Sequence, residues 1–247
     1  MSFSNIKEDN SHYISLSDIM TALMLVFLFI SVSVILDIQK KYADHGRCER
    51  ITKEYFNKKE KLYTDLQTEF AKDLSRWDAE ITKDLSFKFN EKTPQFDKNE
   101  AVLKDEFKER LQDFFPRYIK TIMPFKDQIQ EIRIEGHTDT TGPCKVDSKD
   151  ICVMKDGPYS VSGDYTNEQK NYLYNMALSQ ARARSVLSYC LSMDNDFAYM
   201  KEYVTANGLS YSKLVKYDNG AENHSASRRV EFRVLLKAEA NMETILK

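Results

Sequence analysis

The chain lacks an excess of charge of either sign. Its 36 Lys and Arg stand against 38 Asp and Glu, a net charge of −2, with basic and acidic residues interspersed. That balance gives no support to a strong signature of binding to nucleic acid or an anionic membrane surface. Histidine is scarce at four residues, which leaves little material for a His-rich metal centre. Long apolar runs are scarce too, since one stretch reaches membrane length and no second one does. This excludes a multi-pass architecture of helices and leaves a chain with one anchor and a large polar remainder.

That run, Ile14 to Leu36, holds 23 residues and would reach about 34 Å as a helix, enough to cross a hydrocarbon core of about 30 Å once. The start carries Lys7 against Glu8 and Asp9, and no small-x-small pattern closes the run. Both features argue for a retained anchor over a cleaved signal peptide. Lys40, Lys41, Arg47 and Arg50 follow the span, and the positive-inside rule by itself places them in the cytoplasm. Inside the run, SLSDIMTALMLVFLF carries one ionisable side chain, Asp18. A carboxyl at that depth is costly and marks a functional site, although Asp18 alone also fits a helix N-cap.

From Asp37 to about Lys83 the chain is dense in Lys, Glu and Asp, with Gly46 its only glycine and no proline, and it reads as a helix. Leu66, Phe70, Leu74, Trp77, Ile81 and Leu85 recur at spacings of three and four. The stripe packs either on the chain's own soluble domain or on a second copy as a parallel coiled coil. Beyond it the pattern turns to mixed α/β. SFKFN alternates as a strand, Asn99 to Ile122 has helical spacing, and EIRIEG alternates again. Asn171 to Met193 is a second amphipathic helix, and RRVEFRVLL closes as a strand. This order suits helices on one side of a small mixed sheet.

Of the four cysteines, Cys144 and Cys152 share one irregular loop, eight positions apart. If that loop faces an oxidising compartment they can pair, and losing such a bridge costs about 2–4 kcal/mol. Cys190, beside Leu187 and Leu191, reads as a buried filler. Cys48 can cross-link two copies, though nothing in the sequence demands it.

IRIEGHTDTTG (132–142), NMALSQARARSV (175–186) and SRRVEF (227–232) follow one another in the chain. Together they resemble the peptidoglycan-binding domain shared by OmpA, Pal and the stator protein MotB, with its GHTD, N-x-x-L-S-x-x-R-A and N-R-R-V-E motifs. The likeness covers roughly residues 86–236. It implies that Asp139 and Arg182 hold the ammonium and carboxylate of diaminopimelate in a cell-wall stem peptide, a match of residue type to ligand charge. It places Asn175 and Leu178 along the same groove, with Thr138 helping through its hydroxyl or backbone. Competing readings are a metal site using His137 and Asp139, which lacks a third ligand, and a Ser179–His137–Asp139 triad, which lacks a Gly-x-Ser-x-Gly elbow. Arg228 and Arg229 also fit as structural residues flanking a strand. Two departures stand out: the long 143–170 segment, with PYSVSGDY (158–165) near its end, and Ser227 where the family has Asn.

The anchor resembles the single transmembrane helix of MotB-type stator subunits, with Asp18, Met20 and Thr21 in the places of that family's Asp, Met and Thr. The combination implies a cytoplasmic N-terminus and a periplasmic wall domain in the inner membrane, against the charge bias. It also implies two copies of this chain inside a ring-forming, MotA-like partner, with H⁺ or Na⁺ passing through Asp18 and with Ser17 and Thr21 as further oxygen donors. The chain lacks the basic tail and aromatic-rich approach usual in flagellar relatives. Its SLSDIMTALMLVFLF resembles the ZorB subunits of Zorya anti-phage systems more closely than those relatives, and the ring-forming partner of that family is ZorA; a flagellar stator subunit and a passive wall tether are the alternatives.

The expected architecture is α+β: a tail at 1–13, a transmembrane helix at 14–37, a helical spacer at 38–85 and an OmpA/MotB-like α/β sandwich at 86–247. Neither catalysis, a cofactor nor a metal is expected.

Overall fold

The computed structural model describes residues 6–90, 95–146, 148, 152, 157–193 and 201–237, and within its first helix the side chains of residues 6–17, 44, 45, 47 and 48 lie outside that description. The chain forms two compact units, Met1–Glu54 and Tyr55–Lys247. Helix α1 (Ile6–Phe70) supplies the described part of the first unit and the opening turns of the second. One stretch of it, Asp18–Ala43, is long and apolar enough to cross a membrane, and none of it is buried. Leu23, Phe27, Ile30, Val34 and Ile38 are all exposed, so among the described residues of this unit the apolar belt is not packed into a protein interior.

In the second unit Tyr55, Leu62, Leu66 and Phe70 of α1 are buried in the domain core. The apolar stripe therefore packs on the chain's own domain, and residues assigned to a spacer by their periodicity are core. The helical reading fails beyond Phe70. A short helix α2 (Leu74–Trp77) ends at Asp78, which adopts a left-handed φ of 50°. Strands β1 (Ala79–Ile81) and β2 (Ser86–Phe89) follow, with Leu85 also left-handed in the turn between them. Ile81 and Leu85 kept the helical spacing yet are buried from a strand and a turn. Apolar spacing marks what is buried before it marks which element carries it.

Helix α3 (Asp105–Ile122) and a 3₁₀ turn (Met123–Gln128) lead into β3 (Ile129–His137). The helix starts six residues later than its periodicity predicts, because Phe96 and Leu103 form an isolated antiparallel bridge around a turn with Asn99 left-handed. Helix α4 (Asn167–Met193), β4 (Val204–Gly208), a one-turn helix α5 (His224–Ser227) and β5 (Arg229–Leu236) complete the unit. Strand β4 carries one buried residue, Val204, and offers no alternation to read.

The sheet order is β1-β2-β5-β3-β4. All neighbours are antiparallel except β3 and β4, and that parallel pair requires the crossover through α4. On the helix-covered face an aromatic core gathers Phe70, Trp77, Phe87, Phe89, Phe114 and Phe232, the Phe87 and Phe114 rings lying 4.5 Å apart. The opposite face carries Lys88, Arg133, Glu135, His137, Glu231 and Arg233, as strand alternation requires.

Gly136 of β3 and Gly208 of β4 are register partners. A methyl group at Gly136 would collide with the Ser179 carbonyl oxygen, and one at Gly208 with the Gln180 backbone. The paired absence of side chains lets α4 lie against the sheet at Ser179–Gln180. Gln180 fastens the approach, donating from Nε2 to the Ala206 carbonyl at 3.0 Å and accepting the Gly208 N–H at 2.6 Å. We expect Gly136→Ala to destabilise the second unit by about 1–3 kcal/mol. The check is a denaturant titration followed by fluorescence of Trp77, the chain's only tryptophan, and an unchanged midpoint would contradict it.

Candidate functional site

Beyond the end of β3 the chain turns across the C-terminal edge of the sheet. The Thr138 N–H donates to the Ser210 carbonyl at 2.9 Å. Asp139 is 4% exposed, and both of its oxygens are engaged. Oδ1 accepts the Thr141 N–H at 3.1 Å, while Oδ2 accepts from Arg228 Nη1 at 2.6 Å and lies 3.4 Å from His224 Nδ1. A buried carboxylate needs such partners to stay charged.

The facing wall comes from α4. Asn175, Leu178 and Arg182 are spaced by three and four, so they share one stripe of the helix. The Arg182 guanidinium reaches the 96–104 turn, donating from Nε to the Glu100 carbonyl at 2.9 Å and from Nη2 to the Asp97 carbonyl at 3.3 Å. It also lies over the Phe96 ring, 5.0 Å from the centroid. Asn175 Nδ2 donates to the Thr141 carbonyl at 3.0 Å, joining the two walls.

Between them is a cleft of about 450 Å³. Asp139, Arg182, Asn175, Leu178 and Thr138, the residues that the sequence motifs single out, all line it. The Thr138 Oγ1 is buried without a hydrogen-bond partner, and its N–H is committed to Ser210. Lys98, Lys104, Arg182 and Arg228 outnumber Asp97 and Asp139 in the lining, which favours a ligand carrying carboxylates. A carboxylate on one wall and a guanidinium on the other suit a small zwitterion.

The cleft contains residues that the sequence reading left aside. Arg228, which from sequence alone also fits a structural role flanking the strand, ion-pairs with Asp139. The signal was available in strand alternation: its neighbour Arg229 points the other way and holds Glu231 at 2.6 Å. Phe96, Lys98 and Lys104 carry no such signal, because only the turn that delays α3 brings them to the cleft. Ser227 accepts the Val215 N–H at 3.0 Å on its hydroxyl, which gives this departure from the family motif a role in holding the preceding loop.

Cys144 and Cys152 form a disulfide with Cα atoms 5.5 Å apart. Cys190 is buried and free, and burial pushes its thiol up. The side chain of Cys48 lies outside the described residues, as does that of Ser17. Asp18 and Thr21 stand about one turn apart on α1. Ser179 Oγ donates to the Met176 carbonyl at 3.0 Å and accepts the Ser210 N–H at 3.0 Å, so it is committed to structure and not to His137.

On the polar face of the sheet His137 faces away from the Asp139 partners. Its Nε2 lies 3.8 Å from Glu135 and 3.6 Å from Glu231. The three residues place donor atoms within 4.8 Å of one another, close enough to hold a metal ion. Arg229 already neutralises Glu231, however, and Lys88 and Lys213 add positive charge around the imidazole. Burial first, then those cations, lower the His137 pKa to about 3. Glu135 moves up, through burial and the charge of Glu231.

An unfolded imidazole takes its proton near 6.5 and the folded His137 only near about 3, so the unfolded state binds more protons in between. Stability from this group is lost as pH falls through that window, while Glu135 contributes with the opposite sign and offsets part of it. We expect His137→Gln to flatten the fall in thermal midpoint between about pH 6.5 and pH 3. An equally steep fall in the variant would contradict that assignment.

No family model matches the chain. Among solved structures, it is similar to a MotB-like protein from Desulfovibrio vulgaris, with 19% identity, 74% of this chain and 93% of that one covered, and a TM-score of 0.48. It is also similar to the cell wall anchor of the T6SS from Pseudomonas aeruginosa, with 19% identity, 70% and 97% covered, and a TM-score of 0.44. Among curated proteins, a Zorya protein ZorB from Escherichia coli O139:H28 is 27% identical over 229 residues, 90% of this chain and 79% of that protein. The Zorya protein ZorB of Escherichia coli strain Crooks is 36% identical over 245 residues, 97% of this chain and 94% of that protein. With that identity sustained along nearly the whole length of both sequences, the chain belongs to the ZorB family.

Proposed function

We propose that this chain is the wall-anchored, ion-carrying subunit of an ion-driven rotary motor in the inner membrane, acting in anti-phage defence. The observation that carries the anchoring role is the cleft, where Asp139 and Arg182 stand on opposite walls, Thr138 beside the first and Asn175 and Leu178 on the helix of the second. Its ligand is the diaminopimelate of a peptidoglycan stem peptide. Arg182 takes the side-chain carboxylate and Asp139 the ammonium, with the Thr138 hydroxyl as a further partner. Family membership supports defence over flagellar propulsion, since both curated relatives are Zorya proteins.

The disulfide supports the orientation. Cys144–Cys152 belongs in an oxidising compartment, which favours a periplasmic second unit and a cytoplasmic N-terminus over the bias of Lys40, Lys41, Arg47 and Arg50. The apolar belt of α1 fits lipid or the inner surface of a ring of ZorA-like subunits, and two copies of this chain share that ring. H⁺ or Na⁺ passes through Asp18, with Thr21 and Ser17 as neighbouring oxygens. Each unit charge moving down 100 mV releases about 2.3 kcal/mol for work. The wall-bound domains hold the helices still while the ring turns.

Two substitutions separate the motor from a passive tether. Arg182→Ala and the charge-retaining Arg182→Lys should both lose co-sedimentation of the full-length protein with purified sacculi; wild-type sedimentation would contradict the cleft assignment. Asp18→Asn should sediment normally yet abolish protection in a phage plating assay run with the neighbouring genes. Protection that survives Asp18→Asn would leave only the tether.

A further inference from the structure

Asn167, Asn171 and Asn175 recur every four residues along one side of α4, and each fastens the segment that runs from Asp139 to the disulfide. Asn175 Nδ2 donates to the Thr141 carbonyl at 3.0 Å. One turn earlier, the buried Asn171 accepts the Cys144 N–H on Oδ1 at 2.9 Å and donates from Nδ2 to the Cys144 carbonyl at 2.8 Å. Its amide thus pairs with both backbone groups of one residue, as a neighbouring strand would. At the first turn Asn167 accepts the Cys152 N–H at 2.9 Å and donates to the Lys145 carbonyl at 3.0 Å. Lys170, only 6% exposed, donates to the Cys152 carbonyl at 2.8 Å.

The packing is as tight as the hydrogen bonding. Any Cβ at Gly142 would collide with the Asn171 side chain. The bridge ties Cys144 to Cys152, so the grips of Asn171 on Cys144, of Lys170 on Cys152 and of Asn167 on both Cys152 and Lys145 act on cross-linked backbone. That backbone continues through Gly142 to Thr141, whose N–H reaches Asp139 Oδ1 at 3.1 Å.

We infer that Asn171, acting together with the Cys144–Cys152 bridge, is a positioning residue for wall binding: it sets the place of the Asp139 wall of the cleft relative to Arg182. This rests on the proposed binding of stem peptide in the cleft. Neither Asn171 nor the disulfide touches the ligand. They act by holding the 139–144 backbone in its binding geometry, so the ligand does not bear the cost of ordering it. Reduction of the bridge by an added dithiol, which is itself oxidised to a disulfide and leaves the two cysteine thiols, would loosen the wall and weaken the grip.

The test compares full-length wild type, Asn171→Ala, the double variant Cys144→Ser/Cys152→Ser, and all three changes together, in co-sedimentation with diaminopimelate-type sacculi below every thermal midpoint. Asn171→Ala and the double variant should each weaken binding about tenfold. The combined variant should be no weaker than the worse of the two, because both act through one loop. Ile129→Val, a core change at the far end of β3, should lower the thermal midpoint and leave sedimentation unmoved. Should a variant fail to fold, wild type with its bridge reduced and its thiols capped carries the same comparison. Wild-type affinity in Asn171→Ala or in the bridge-free protein would overturn the inference while leaving stem-peptide binding intact. A wild type that does not sediment would overturn both.

Discussion

The geometry of the second unit depends on how closely α4 approaches the sheet. Gly136 and Gly208 stand side by side on the parallel strands β3 and β4, and their missing side chains leave room for the backbone at Ser179–Gln180. Parallel pairing places the C-terminal ends of both strands at one edge, and the Leu209 N–H donates to the Gly136 carbonyl at 2.9 Å as the chain leaves β4. At that edge Thr138 and Asp139 leave β3, and the helix pressed onto it carries Asn175, Leu178 and Arg182 along one stripe. A helix lifted by the thickness of a methyl group would separate the two walls of the cleft and release the Gln180 bonds that fix its rotation.

Charge in the cleft is held rather than merely present. Asp139 keeps its carboxylate among Arg228, His224 and the Thr141 N–H, and Arg182 is braced by two carbonyls and an aromatic face. These groups are oriented before any ligand arrives, so binding costs little side-chain ordering. The same contacts screen the charges, which is why a ligand must bring complementary charge to both walls at once. A lone ammonium or a lone carboxylate would meet one wall already compensated. A zwitterion can pair with both walls, and this is the physical basis on which the proposed ligand is the end of a diamino acid side chain.

Much of this was legible in the sequence, and the failures have particular causes. The strands around Ile132–Ile134 and Val230–Val234 announced themselves by alternation, and the three motifs named Asp139, Thr138, Asn175, Leu178 and Arg182. The Ile81 and Leu85 positions misled because burial from a strand and a turn happened to continue the helical spacing of α1. Strand β4 was silent: one buried residue in five gives no pattern. Arg228 was visible but read as structural, since an Arg–Arg pair does not say which member faces a cleft until the strand phase is fixed. The Phe96–Lys104 wall was beyond reach, because it depends on the bridge that delays α3 and on the reach of Arg182 from far along the chain. The asparagine ladder of α4 lay in plain sight at four-residue spacing, but polar periodicity carries meaning only when something is seen to lie against it.

The most direct measurement is a titration of the full-length protein with two soluble stem-peptide fragments identical except at the third residue, one carrying diaminopimelate and the other lysine. Lysine keeps the ammonium and removes the side-chain carboxylate that Arg182 is proposed to hold. The account predicts at least about tenfold tighter binding of the diaminopimelate fragment, from loss of a charge-assisted contact, with the preference erased in Arg182→Ala. Equal affinity for the two fragments in the wild type would contradict it.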